Sequence, residues 1–240
     1  MSSIDKNKYS DMQRAYYAER ANNWSPETDS IVGAFHQQNT HKDEYYNNLF
    51  GIIDTTSLTA LEFACGPARN IQNYRDRFKR IDGVDFEAVA SIARGRVGSN
   101  YEGKIYNTLG FNLREPDLIP SDTYDIVYSM IAFQHICVHE IRLNYLKEFF
   151  RVLKPGGSIS IQMGYGPDGP GSVDYYSNEY DVNTTNGTAD TRVENPEQLR
   201  KDIEDIVGFT NFKYQVKPLP WYHLTHPEWI YFQAIKPSTD

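Results

Sequence analysis

Apolar positions along this chain recur with two alternating periods, and the switching between them predicts the fold. Residues 58–64 form a short apolar run that reads as a strand. Ile71, Tyr74 and Phe78 then fall three and four apart, which gives the next segment one apolar helical face. Residues 80–85 read as a second strand, and Phe86, Val89, Ala93 and Val97 mark a helix behind it. A weaker strand is expected near 103–109. Residues 124–129 read as a fourth strand, and Leu146, Phe149, Phe150 and Leu153 supply the face of the helix that follows. Lys154-Pro155-Gly156-Gly157 stops that helix, with a cation in its last turn and then proline and glycine. Ile159, Ile161 and Met163 alternate with Ser158, Ser160 and Gln162, so a fifth strand begins at once. Strands and helices in regular alternation predict an α/β fold, a parallel sheet covered on both faces.

The two flanks break this rhythm. Residues 1–57 read as mainly helical, with Tyr45, Leu49, Ile52 and Ile53 at helical spacing and Thr55-Thr56-Ser57 ending the pattern. Residues 164–190 carry many Gly, Asn, Asp and Tyr and little periodicity. A loop of that length inside a compact domain is usually functional, and a cap over a substrate is expected here. Residues 196–207 read as a helix, and 212–216 and 229–234 as two late strands forming an antiparallel pair at one sheet edge. The division expected is a helical N-terminal extension, 1–57, and a main domain, 58–240, with 164–190 inserted in it.

Composition narrows the function classes. Of the 240 residues, 40% are hydrophobic, enough for a real core. Lys and Arg number 24 against 32 Asp and Glu, a net charge of −8, so the broad basic footprint of a nucleic-acid binder is missing. The apolar runs are too short to span a bilayer, and Met1–Arg20 is polar, without the apolar core of a signal peptide. A cytoplasmic protein that binds neither membrane nor nucleic acid is the expectation. Two cysteines, Cys65 and Cys137, do not make a disulfide framework. The glycosylation triplets at 183–185 and 186–188 read as polar loop.

The densest chemistry lies in Leu61-Glu62-Phe63-Ala64-Cys65-Gly66-Pro67-Ala68-Arg69-Asn70, where a strand ends in an acid and turns through small residues into a helix. Small residues let the backbone approach a ligand closely. Some twenty residues on, Ile81-Asp82-Gly83-Val84-Asp85 ends a second strand in an acid able to accept two ribose hydroxyls. Together they point to an adenosine-containing cofactor. A dinucleotide fingerprint needs a third glycine where Arg69 stands, and Glu62 fits poorly beside a pyrophosphate. An acid there fits an ammonium group better, which favours S-adenosylmethionine. Forcing an alanine to positive φ costs about 1–2 kcal/mol, so Ala64 and Ala68 are expected at negative φ, with Gly66 alone taking the bend.

These residues resemble the class I S-adenosylmethionine-dependent methyltransferases, over about 58–163 closely and elsewhere loosely. Leu61–Asn70 is similar to that family's glycine-rich turn, Gly83–Phe86 to its ribose-binding strand, Asp122–Ile136 to its fourth strand and following helix, and Leu146–Ile161 to its most recognisable segment. The resemblance implies a Rossmann-like, doubly wound, mostly parallel seven-stranded sheet with a C-terminal antiparallel hairpin. It implies S-adenosylmethionine as cofactor, S-adenosylhomocysteine as product and a small organic acceptor as partner. It further implies Glu62 near the methionine ammonium, the backbone of Ala64, Cys65 and Gly66 along the methionyl and ribose end, and Asp85 on the ribose. Phe86 would cover the adenine, Asn112 and Leu113 would meet its edge, and Ser129 and Met130 would lie beneath the sulfonium.

Outside that frame the residues leave choices open. His135, just past the fourth strand, is the best-placed general base, because an imidazole titrates near neutrality. His135, His139 and Glu140 invite a metal reading, but their order differs from a zinc-binding helix and no third ligand is evident. Tyr16, Tyr17, Arg20 and Trp24 either fold over the cofactor or simply pack. Tyr175, Tyr176 and Tyr180, with Trp221, Tyr222 and His223, are candidates to line the acceptor pocket. Arg75, Arg77, Lys79, Arg80, Arg94 and Arg96 read as a solvated face. An RNA or protein methyltransferase, a non-catalytic cofactor-binding module and an NAD-dependent dehydrogenase remain as alternatives.

Overall fold

The computed structural model describes residues 6–21, 23, 42–51, 53–167, 172–178, 190–219 and 225–238. Two helices precede the sheet, α1 (Lys6–Ala21) and α2 (Lys42–Phe50). The alternating region follows as β1 (Thr59–Phe63), α3 (Arg69–Tyr74), β2 (Arg80–Asp85), α4 (Glu87–Val97), β3 (Ile105–Asn107), β4 (Tyr124–Ser129), α5 (His139–Val152) and β5 (Leu153–Tyr165). Then come β6 (Ser172–Val173), β7 (Asp190–Val193), α6 (Pro196–Arg200), β8 (Thr210–Pro218) and β9 (Glu228–Ile235).

Strands β3, β2, β1, β4 and β5 are parallel neighbours in that order. β9 runs antiparallel to β5 from Ser158 to Tyr165, and β8 runs antiparallel to β9. Beyond β5 the sheet also takes in β7 and β6, so among the described residues it has nine strands, two more than the seven expected, and the late hairpin lies at an edge as its pattern predicts. Chain order across the sheet reverses between β1 and β4, and such a reversal leaves a crevice beyond the carboxyl ends of the strands.

Alternate residues of β1 feed two cores. Leu61 and Phe63 join Val127, Phe149, Ile159, Ile161 and Phe232 on one face. Ala60 lies on the other face with Ile71, Tyr74, Phe78, Tyr128 and the α2 residues Tyr46, Leu49 and Phe50. The aromatic rings of that second cluster pack with centroids 4.9–6.4 Å apart, mostly edge to face. α2 is thus anchored by rings. Ile52, which the periodicity adds to this helix, lies outside the described residues.

Three elements differ from expectation. The helix read from Ile71, Tyr74 and Phe78 is shorter, because one 3₁₀ turn, Arg75–Arg77, closes it and Phe78 is extended. The helix of 196–207 begins as α6, with Asn195 and Gln198 forming a capping box, but continues as a π-helical segment, Lys201–Val207. Within 164–190, expected to lack periodic structure, β5 runs on to Tyr165 and β6 forms, and β7, which opens at Asp190 and continues past that range, pairs in parallel with the tip of β5 through Gly164↔Arg192 and Tyr165↔Val193 and with β6. A two-residue pairing is too short to leave a periodic signature in the sequence.

Candidate active site

The carboxyl ends of β1, β2 and β4 open into one cavity of about 920 Å³, its mouth included. Glu62 to Gly66 line it from β1 and its turn, Asp85 and Phe86 from β2, and Met130, Ile131, Ala132 and His135 from the segment after β4. Gln13 and Tyr17 of α1 close one side, and the Phe86 and Tyr17 rings lie 6.1 Å apart. The backbone at Gly110 also lines the cavity, and a Cβ there would come within 2.9 Å of the Phe86 ring. The glycine lets that loop close against Phe86.

The turn after β1 corrects one expectation. Ala64 (φ 52°) and Ala68 (φ 69°) both take left-handed conformations, as does Gly66 (φ 55°). Bonds next to Ala64 and the burial of Ala68 hold the turn in this shape. The Cys65 amide donates to the Val84 carbonyl at 3.1 Å, the Ala68 amide donates to the Cys65 carbonyl at 3.1 Å, and Ala68 is fully buried. Packing supplies what glycine would otherwise give freely. An Ala64→Gly variant is therefore expected to gain about 0.5–1 kcal/mol of stability by losing that strain. In a thermal melt this reads as a rise of roughly 1–4 °C for a domain of this size.

Two carboxylates sit in the cavity wall. Glu62 is buried and accepts from Asn70 Nδ2 at 2.7 Å and from the Tyr128 hydroxyl at 3.2 Å. Burial pushes its carboxyl up to about 8, against the pull of those two bonds and of the Arg69 charge. Asp85 accepts from the amides of Gly66 at 2.8 Å and Phe86 at 2.7 Å. Burial pushes it up to about 6, partly offset by the same two amides. Arg69 is also buried against the cavity, where its Nε donates to Asn70 Oδ1 at 3.2 Å. The wall thus holds two carboxylates and one guanidinium, a set suited to a zwitterionic ligand with hydroxyls and ill suited to a pyrophosphate.

The Glu62 shift has a stability consequence. Its folded value of about 8 lies above the ordinary 4.5, so the folded state holds an extra proton between those limits. Stability is therefore lost as pH rises through that window. Glu62→Gln keeps the shape and removes the titration. Its melting temperature is expected to gain on the parent's steadily from pH 5 to pH 8.5, as followed by circular dichroism.

His135 ends a 3₁₀ turn, Phe133–His135, and its Nδ1 lies 2.5 Å from Asp190 Oδ1. The second oxygen of Asp190 accepts from the Thr225 hydroxyl at 2.7 Å. Burial alone would lower the imidazole's pKa, but the charge and hydrogen bond of Asp190, with the Ile131 carbonyl beside the ring, raise it above the ordinary 6.5. Burial works against the Asp190 carboxylate too, yet His135 and Thr225 hold it down at about 2. Asp190 was invisible in the sequence. It lies 55 residues from His135, at the end of a segment without periodicity.

Several expected site residues lie elsewhere. Asn112 Oδ1 accepts from the amides of Arg114 and Glu115 in a local turn, and Leu113 is fully buried in the main core. Neither lines the cavity; Thr108 and Gly110 of the same loop do. Ser129 is buried behind the wall, its hydroxyl donating to the Phe63 carbonyl. Tyr175, expected against substrate, is buried with its hydroxyl donating to Asp202 at 2.7 Å, because a buried phenol needs an acceptor. Tyr176 is exposed and packs edge-on to His139 and Tyr175. His139 pairs with Asp202 at 2.8 Å rather than facing His135, and among the described residues no group of three His, Cys, Asp or Glu is disposed to hold a metal ion. Cys65 lines the cavity as a thiol that burial pushes well up. Trp24, Tyr180, Trp221, Tyr222 and His223 lie outside the described residues. No described helix is long and apolar enough to cross a membrane.

Residues 61–161 match the family model of a methyltransferase domain. Among solved structures, the chain is similar to a possible histamine N-methyltransferase of Thermotoga maritima, S-adenosylmethionine-dependent, at 17% identity and TM-score 0.59 over 92% of this chain and 99% of that one. A Haloferax volcanii chain solved in a complex with the methyltransferase activator Trm112 matches at 15% identity and TM-score 0.60, over 94% of this chain and 97% of that one. A Haemonchus contortus phosphoethanolamine N-methyltransferase, solved with phosphomonomethylethanolamine and S-adenosylhomocysteine, matches at 13% identity and TM-score 0.62 over 94% of this chain and 58% of that one. No curated protein matches the sequence.

Proposed function

We propose that this chain is a class I S-adenosylmethionine-dependent methyltransferase, a reading that the match of residues 61–161 to a methyltransferase-domain model supports, and that its acceptor is a small organic molecule whose reacting atom carries a removable proton. The observation that carries this reading is the cavity where Glu62, Asp85 and the His135–Asp190 pair meet. When bound, S-adenosylmethionine supplies a methyl carbon on a sulfonium centre. Asp85 would accept the ribose hydroxyls, Phe86 would cover the adenine, and the backbone from Ala64 to Gly66 would follow the ribose and methionyl chain. Glu62, which burial keeps protonated near neutral pH, would give up its proton beside the ammonium and offset its charge, and Arg69 would take the carboxylate, as a buried guanidinium does well.

His135 acts on the acceptor. Asp190 fixes the Nδ1 proton, so Nε2 is the atom that takes a proton from the acceptor, and the carboxylate then stabilises the imidazolium. Ile131, Ala132 and Tyr17 beside it give that end of the cavity an apolar wall that keeps water away. Tyr175 and Tyr176 take no part. The net acidity supports a small acceptor over RNA. So does the local pairing of the basic face, where Arg77 meets Asp43, Arg80 meets Asp82 and Arg94 meets Glu87. The cytoplasm is the compartment that composition favours. Release of S-adenosylhomocysteine on incubation with S-adenosylmethionine and a panel of small phenols, amines and acids tests the reading. Turnover on one class supports it, and turnover only on RNA or protein replaces it.

A further inference from the structure

The residue after Met130 carries a conformation that nothing in its own chemistry favours. Ile131 lies at φ 53°, where a β-branched residue is strained. Such strain persists only where the surroundings over-determine it. The Ile131 amide donates to Gln162 Oε1 at 2.7 Å, and Gln162 Nε2 donates to Gln134 Oε1 at 3.1 Å. Both glutamine side chains are buried, Gln162 completely. The amide of Ile131 can only donate, so the orientation of the Gln162 carboxamide is fixed, and with it that of Gln134.

One side chain from β5 therefore ties down both the start of the turn and the residue next to His135. The turn itself is closed by two backbone bonds, from the His135 amide to the Ala132 carbonyl at 2.9 Å and from the Ile136 amide to the Phe133 carbonyl at 3.3 Å. From the other side, the Tyr9 hydroxyl and Gln13 Nε2 of α1 donate to the His135 carbonyl at 3.1 and 2.7 Å. Those bonds hold the backbone of His135 but leave the direction of its ring to the turn. We infer that Gln162 is a positioning residue: its carboxamide locks Ile131 in the left-handed conformation, and so aims the His135 ring at Asp190 and the cavity.

The groups facing that ring are Asp190 on β7, the Ile131 carbonyl, and Tyr17 and Arg20 on α1. Gln162 touches none of the reacting atoms. The inference rests on the reading of His135 as the base, and its test is independent of any acceptor. Gln162→Met keeps the volume and removes both hydrogen bonds. The readout is an NMR pH titration of the imidazole in protein saturated with S-adenosylhomocysteine, the His135 signal being the one lost in His135→Asn.

In Gln162→Met the ring is expected to titrate at lower pH than in the parent, because Asp190 and the Ile131 carbonyl are no longer aligned with it. The affinity for S-adenosylhomocysteine should stay within about threefold of the parent's, since Gln162 lies outside the cavity wall. Adding Ile131→Gly to Gln162→Met should return the titration toward the parent's, because glycine takes positive φ unaided. Gln162→Asn, whose shorter reach breaks the same bonds, replaces Gln162→Met should the latter not fold. A titration unchanged in the folded single variant, or unmoved by the added glycine, overturns the role of Gln162. Failure of the parent to bind S-adenosylhomocysteine overturns instead the cofactor reading beneath it.

Discussion

Replacing His135 with alanine is expected to slow methyl transfer by about 10²–10⁴-fold, the range a positioned acid–base group supplies. Binding of S-adenosylhomocysteine should barely change. The partner gives the sharper test. Asp190→Asn leaves the shape in place and removes the charge that raises the imidazole's pKa. The base works only when neutral, so the parent's rate should rise with pH through a value above 6.5. In Asp190→Asn that rise should move to lower pH, while the maximal rate falls because the imidazolium loses its stabilising carboxylate. A pH–rate profile with saturating cofactor measures both. Equal profiles in parent and variant would remove Asp190 from the mechanism.

Asp85→Ala is expected to weaken S-adenosylhomocysteine binding by about 100-fold, as two charge-assisted hydrogen bonds to the ribose are lost. Isothermal calorimetry reads the change directly. The pH dependence has a definite sign. Burial holds Asp85 near 6, so the ionised acceptor fades as pH falls through that value, and the parent's affinity should fall with it. Asp85→Asn, which cannot ionise, should show weaker binding without that acid limb. Asp85 also accepts the Gly66 and Phe86 amides. Part of the loss in the alanine variant will therefore come from a looser turn, and Asn, which keeps one acceptor oxygen, separates the two contributions.

The parallel sheet was legible because each strand is a short apolar run and each helix has one face, patterns that the two cores read out directly. Glu62 and Asp85 were legible for a related reason: both end strands, and strand ends at a reversal of chain order converge on one crevice. Ala64 and Ala68 show the limit of local reasoning. Their intrinsic preference opposes positive φ; burial and a bond to Cys65 override it at Ala68, and the bond of the neighbouring Cys65 amide to Val84 holds the turn beside Ala64. Tyr175 misled because an aromatic in an irregular segment reads equally as a ligand platform or as core. Only the position of Asp202, on a π-helical turn that no periodicity announces, decides it. Asp190 and Gln162 could not be found from sequence at all. Each acts through a long-range partner, His135 or Ile131, and polar pairs of that kind carry no period.

The proposed methyl transfer requires a single S-adenosyl nucleoside to lie between the turn at Glu62 and the carboxylate of Asp85. A crystal structure of the protein grown with S-adenosylhomocysteine tests it most directly. Density is expected in that cavity, with ribose hydroxyls on Asp85 and the amino-acid end toward Glu62 and Arg69. Ligand bound elsewhere, or a ribose that leaves Asp85 on its Gly66 and Phe86 amides alone, would contradict it.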